Sequence, residues 1–184
     1  MRRTALALAT ALLITAGTAG CSSGSKGSGS ARGATGSPSP SAPTPVAVGT
    51  TITKDLKNGG KVAYTVKRVV DPATPAPTSK HKPAPGTHWV GVELSFANVG
   101  STYVEESPWR TQLMPPLGSE PLNIKASVDY EIVEGASAPY FMRLQRGQHA
   151  AGFFVFELPG RTKYVGVQYM PLGPEDPKMQ WKVN

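Results

Sequence analysis

The side chains in this 184-residue chain that could do chemistry are one cysteine, Cys21, three histidines, His81, His88 and His149, a few methionines, and two groups of carboxylates. Nucleophilic catalysis needs a nucleophile held by a base that an acid orients. None of the three histidines stands at a Ser or Asp spacing that resembles a known nucleophile elbow, so no catalytic residue is assigned and no enzyme is expected. Met114, Met142, Met170 and Met179 offer thioethers that with imidazoles suit Cu(I), but no compact His-Met spacing brings them together. Asp129, Glu131 and Glu134, or the pair Glu105-Glu106, could offer hard oxygens to Ca²⁺. No Asp-x-Asp loop with a turning glycine accompanies either group, so all of these carboxylates, Glu105 and Glu106 included, read as a solvated edge; Asp129 and Glu131 would share one strand face, and such edge charges discourage aggregation. The expectation is therefore no metal and no cofactor.

Contact chemistry is the remaining kind. Lys80-His81-Lys82 is a basic cluster inside the segment Asp71–Thr87, which also holds Pro72, Pro75, Pro77, Pro83 and Pro85. Long loops in compact domains usually carry function or move freely. This one reads either as a polyproline-like contact segment for an anionic or protein partner or as a mobile crossover between two sheets. Trp89, Trp109 and Trp181 are core candidates; Trp109, after Pro108 near a strand start, is the one expected at the surface, where its ring could stack on a partner. Lys80, His81, Lys82 and Trp109 are the candidate partner-binding residues.

Where such contacts would occur is set by the first 45 residues. Arg2 and Arg3 precede an apolar run from Ala5 to Ala16, too short to span a bilayer, where a helix needs roughly 20 residues. Residues 1–20 thus read as a signal peptide. Thr18-Ala19-Gly20-Cys21 resembles the lipobox of bacterial lipoproteins, although such leaders usually carry an aliphatic residue where Thr18 stands. The resemblance implies cleavage before Cys21, a thioether from its sulfur to diacylglycerol, and a location on the outer face of the cytoplasmic membrane. Cys21 is the only cysteine, so no intramolecular disulfide can form. Lipidation would also remove an exposed thiol, and two acyl chains suffice for stable anchoring.

Residues 21–45 form a Ser/Gly/Pro-rich linker in which only Lys26 and Arg32 are charged. That composition cannot bury enough apolar surface to order itself, and it has a random-coil reach of roughly 27 Å. The linker and leader also account for most of the net charge of +7, because Arg2, Arg3, Lys26 and Arg32 lie there and leave 15 Lys or Arg against 12 Asp or Glu in residues 46–184. A basic nucleic-acid footprint is therefore not expected.

Residues 46–184 read as short strands. Gly 20 and Pro 18 argue against long helices, and apolar residues recur with period two. Over 61–70, Val62, Tyr64 and Val66 alternate with Ala63, Thr65 and Lys67, and over 89–96 Val90, Val92, Leu94 and Phe96 alternate with Trp89, Gly91, Glu93 and Ser95. Further strands are expected over 109–114, 126–133, 148–158, 164–169 and 179–183, while Pro139–Leu144 suits a short strand or a helical turn. Phe153 to Phe156 run consecutively, which predicts a central strand covered on both faces. About seven or eight strands in this length predict an all-β fold, an immunoglobulin-like antiparallel β-sandwich, with a small barrel as the alternative.

The stretch Gly86 to Gly100, with its alternating strand and closing Asn98-Val99-Gly100, and the pair Leu144-Gln145-Arg146-Gly147-Gln148 and Phe153 to Pro159, resemble a telokin-like, immunoglobulin-like domain of unknown function found in bacterial lipoproteins. That family is related in fold to the mycobacterial immunoprotective extracellular proteins. Arg146 stands where the family has Pro. The resemblance implies a sandwich outside the cytoplasm and carries no catalytic residue over. The expected role is non-enzymatic binding at the cell envelope, with a membrane contact through Cys21, an envelope protein or anionic polymer as partner, and no nucleic acid. The rival readings are a copper- or calcium-handling lipoprotein and an unrecognised envelope hydrolase; an enclosed polar pocket holding a His beside a carboxylate would favour the latter.

Overall fold

The computed structural model describes residues 43–56, 59–171 and 178–183. Cys21, the leader and almost all of the linker lie outside the described residues. Ten strands follow one another: β1 (Val46–Ala47), β2 (Thr51–Asp55), β3 (Lys61–Ala73), β4 (Thr87–Asn98), β5 (Val104–Glu106), β6 (Thr111–Met114), β7 (Met142–Leu144), β8 (His149–Pro159), β9 (Gly166–Tyr169) and β10 (Met179–Lys182). A 3₁₀ turn, Pro108–Arg110, leads into β6. Among the described residues no helix is long and apolar enough to cross a membrane.

The strands build an immunoglobulin-like β-sandwich. One sheet has the order β1-β10-β9-β6, the other β2-β3-β4-β8, and β5-β7 form a separate two-stranded ribbon. Strand pairing is antiparallel except for β1 on β10, which is parallel. The period-two pattern explains the packing. Val62, Tyr64, Val66, Val90, Val92, Leu94 and Phe96 all point between the sheets and are fully buried, where they meet Val167, Tyr169 and Trp181 from the facing sheet.

The sequence reading of β8 needs one correction. Gly152–Phe156 is buried on both faces as expected, yet β8 is the outer strand of its sheet and β4 is the one flanked by long partners. The consecutive aromatics reflect a second small core on the outside of that sheet, where Ala73, Trp89, Ile132, Phe153 and Val155 pack with Tyr130. Arg68 reinforces its rim: its guanidinium lies 4.9 Å above the Phe153 ring and donates to Glu93 at 2.7 Å and to the Glu134 carbonyl at 2.6 Å. Burial alone would raise Glu93, but Arg68 and Lys67 outweigh it and hold the carboxyl below its ordinary value.

The expected strand over 126–133 is not continuous. Side chains there alternate in burial from Leu122 to Tyr130, but the backbone touches the sheet only at isolated bridges, Ser127 to Val155 and Ser137 to Phe153. The segment thus lies along the outer edge of β8 as a broken cover, which explains how that edge is protected. Gly152 permits the approach, since a Cβ there would stand 2.5 Å from the backbone of Ala138.

The two sequence stretches that carry the family resemblance meet at one end of this sheet. Asn98 is buried; its amide donates to the carbonyls of Thr102 at 2.7 Å and Leu144 at 2.9 Å, and its side-chain oxygen accepts from Gly100 N at 2.9 Å. Gly147, at φ 77°, donates back to the Asn98 carbonyl at 2.9 Å. A Cβ on Gly100 would lie 2.6 Å from Lys61 N, so glycine is required there by close approach.

Candidate functional site: the face formed by loop 74–86 and residues 122–141

The Pro-rich segment neither crosses between sheets nor lies loose. It joins β3 to β4, neighbours in one sheet, and it is held down along its length. Val133 N donates to the Thr74 carbonyl and Ala76 N to the Glu131 carbonyl, both at 2.9 Å. Glu134 accepts from Thr74 N at 3.0 Å and Glu131 from the Thr78 hydroxyl at 3.0 Å. At the far end Glu157 accepts from Ala84 N and from the Thr87 hydroxyl, each at 2.7 Å. The Thr87 hydroxyl and the Ala84 amide hold the Glu157 carboxyl below its ordinary value, more than offsetting its partial burial.

This clasp fixes the basic cluster. Lys80 and His81 are exposed. The His81 ring lies 5.4 Å from that of Tyr130, which in turn stacks on Trp89 at 4.7 Å and an interplanar angle of 4°. Lys82 instead turns its ammonium to the Ala76 carbonyl of its own loop, at 2.9 Å. Between the loop and the cover segment runs an open groove of about 430 Å³, with Lys80 and His81 on one wall and Asp129 and Glu131 on the other.

Trp109 stands on the other flank of the same cover segment and is half-exposed. Its ring leans on Tyr140, centroids 5.2 Å apart, and the Tyr140 hydroxyl donates to Asp129; that hydrogen bond raises the Tyr140 phenol. Asp129, which lines the groove with Lys80 and His81, is thus the acceptor for the residue on which Trp109 leans. Beside Trp109 a second cleft, of about 410 Å³, separates Thr111 and Gln112 from residues 122–126. Trp89 and Trp181 are core residues with no exposure.

A histidine does stand beside a carboxylate, the pairing that the hydrolase alternative calls for. Asp71 accepts from the Tyr164 hydroxyl at 3.0 Å, and His88 Nε2 lies 3.1 Å from its other oxygen. Burial, with Asp71, pushes the Tyr164 phenol up. The neighbouring cleft of about 620 Å³ is open, and Asp71, Thr162, Lys163 and Tyr164 line it together with Val69, Pro116, Val165 and Val183, whereas His88 does not. The trio ties the chain ahead of β9 to β3 and β4. Among the described residues no three of His, Cys, Asp or Glu gather where they could hold a metal ion. Asp129, Glu131 and Glu134 each accept from a different donor, and Met142 and Met179 are buried core residues.

Glu106 departs from the solvated edge read from the sequence. Glu105 faces outward, 3.8 Å from Arg143, but Glu106 is 1% exposed. Its carboxyl accepts from the hydroxyls of Tyr64, on β3, and Tyr169, on β9. One residue of the ribbon thereby fastens both sheets. Burial, then the Glu106 charge, raises the Tyr169 phenol against the opposing pull of Arg110. The signal was the alternation itself: Val104 points inward, so Glu106 must also.

No protein-family model matches the chain, and no curated protein matches it. Solved structures do share its fold. MPT63, a secreted protein from Mycobacterium tuberculosis, is similar with a TM-score of 0.56 and 10% identity, over 77% of this chain and 98% of its own. The yjhA protein of Bacillus subtilis is similar with a TM-score of 0.50 and 14% identity, over 76% of this chain and 99% of its own. At such identities the likeness speaks to architecture, and the class it defines is the β-sandwich.

Proposed function

We propose that this chain is an exported bacterial lipoprotein, held at the outer face of the cytoplasmic membrane through Cys21, whose sandwich is a non-enzymatic binding module of the telokin-like kind named above. The leader and the lone cysteine support the placement, and one protein of like fold, MPT63, is a secreted protein. The observation that carries the binding role is the clasped loop, which holds Lys80 and His81 across a groove from Asp129 and Glu131. A groove with the Lys80 ammonium beside an imidazole on one wall and carboxylates on the other repels a uniform polyanion from half its surface. It suits a polypeptide that carries both signs of charge, so a protein partner is favoured over an anionic polymer.

Two measurements test this. Cys21→Ala should move the protein from the membrane fraction to the medium, since a lipid anchor is what retains it; unchanged partitioning refutes the anchor. A photo-crosslinking residue at Lys80, introduced in living cells, should give a discrete protein adduct, and the same probe at Lys163, beside the other open cleft, should not. Identical patterns at the two positions would refute the binding face.

A further inference from the structure

The cleft beside Trp109, between β6 and residues 122–126, holds about 410 Å³, and small-molecule sites span roughly 300–1,000 Å³. β6 offers it little backbone, because Thr111 and Leu113 are 1% and 3% exposed. A ligand there must be read by side chains. Among the lining residues, the aromatic and polar ones that reach solvent are Trp109, Gln112, Asn123 and Lys125.

The Trp109 ring is held in place. It leans on Tyr140, centroids 5.2 Å apart, and the Tyr140 hydroxyl is tied to Asp129. Even so, 49% of Trp109 stays exposed, so part of an apolar ring is presented at the cleft without further ordering.

Gln112 ends a chain of amides that crosses three strands. Gln180 Nε2 on β10 donates to Gln168 Oε1 on β9 at 3.2 Å, and Gln168 Nε2 donates to Gln112 Oε1 at 2.9 Å. Among the described residues no acceptor engages the Gln112 nitrogen. Hydrogen bonds in series polarise one another, so the chain delivers strengthened N–H donors to the cleft. Asn123 adds a second, exposed amide. Lys125 adds an ammonium that forms no ion pair among the described residues, and no Asp or Glu lines the cleft.

A half-open ring, amide donors and one cation together recognise an acidic sugar. The C–H side of a pyranose lies against an aromatic face, its closely spaced oxygens accept from amides, and a carboxylate takes a charge-assisted hydrogen bond from lysine. An extended peptide added as a strand would need free backbone groups on β6, which are buried. A simple anion would leave Trp109 unused.

We propose that this cleft binds an acidic glycan, with a pyranose stacked on Trp109, its carboxylate on Lys125, and its hydroxyl or ring oxygens on Gln112 and Asn123. The site shares no lining residue with the Lys80 groove and requires neither that groove nor the lipid at Cys21.

The test is a nuclear magnetic resonance titration of the full, isotope-labelled chain in detergent micelles. The probes are cellobiouronic acid, a disaccharide with one carboxylate, and cellobiose, its neutral counterpart. The acid should shift the Trp109 indole and the side-chain amides of Gln112 and Asn123, and it should shield Trp109 from acrylamide. Cellobiose should bind about tenfold more weakly. Lys125→Met should bring the acid down to the affinity of cellobiose. Trp109→Ala should weaken both sugars by about tenfold, and Gln112→Leu both by about fivefold. Both residues reach the surface, so these variants should keep the wild-type circular dichroism, and Trp109→Tyr, which retains a ring, should restore most of the binding. Lys163→Met, at the other open cleft, should change nothing. Absence of binding by the acid, equal affinities of the two sugars in the wild type, or the same shifts from acetate alone would overturn the proposal. Lys80 adducts in cells decide the protein-binding groove separately.

Discussion

Replacing Glu106 by alanine takes from two buried tyrosines the acceptor that joins them across the sandwich. The Tyr64 and Tyr169 hydroxyls both donate to this carboxyl. Tyr169 keeps a further acceptor in the Ser107 carbonyl at 3.2 Å. Losing an acceptor costs about 1–3 kcal/mol per buried donor. Taking the middle of that range for each hydroxyl gives a loss of about 4 kcal/mol, or roughly 12–16 °C in Tm for a domain of this size. Urea denaturation at neutral pH, followed by far-ultraviolet circular dichroism, measures it. The decisive comparison adds Tyr64→Phe and Tyr169→Phe to Glu106→Ala. In the wild type each Phe substitution removes a hydrogen bond to the carboxyl and destabilises by about 1.5–3 kcal/mol. In the alanine variant that carboxyl is gone, so each of the same two changes should cost less than it does in the wild type. If they lower the alanine variant as much as they lower the wild type, the three groups do not act as one network and the stapling role is wrong.

Further outcomes follow from the cover segment and the loop clasp. Gly152→Ala should destabilise by about 2–3 kcal/mol, because the new Cβ would stand 2.5 Å from the Ala138 backbone; exchange at Ala138 and Phe153 should rise most, and an unchanged denaturation midpoint would contradict the packing. Glu157 is depressed in the folded state, so its contribution is complete above its ordinary value of 4.5 and is lost as pH falls through the lower folded value. Acidification below about pH 4.5 should therefore free loop 74–86 before the sheets melt, seen as early exchange at Ala84 and Thr87. Loss of the loop and the core together would show that the clasp is not separable.

The sandwich was largely legible in the sequence because its main strands bury one face against another. Val62-Tyr64-Val66 and Val90-Val92-Leu94-Phe96 declare their inward side by alternation alone. What was not legible came from pairing between segments distant in sequence. Phe153 to Phe156 announce cover on both faces, but their composition is the same whether the second face meets another layer or, as here, an irregular segment along an outer strand. Residues 126–133 keep the alternation of a strand while their backbone reaches β8 only near Ser127, and periodicity cannot report hydrogen bonds. The prolines of 71–87 suggested a polyproline-like contact segment or a mobile crossover between sheets; the clasp itself was hidden, since the amides and carboxylates that form it, from Ala76 to Glu157, are dispersed along the chain. In the candidate site, Lys80, His81 and Trp109 were visible as residue types, yet the contact of Trp109 with Tyr140, and the place of Asp129 in the groove of Lys80 and His81, depend on tertiary placement. Glu106 was read as solvated by charge, although its phase with Val104 placed it inside.

The three tryptophans occupy three separate environments. Trp181 sits in the central core with its indole donating to the Thr50 carbonyl at 2.8 Å, Trp89 lies beneath Tyr130 under the clasped loop, and Trp109 is half-open to solvent. Acrylamide or iodide should therefore quench one emitter in the native protein, a second once the loop lifts, and the third only on global unfolding. The chain carries its own optical reporters for surface occupancy, loop release and core melting, and variants that retain a single indole would separate these events without an added label.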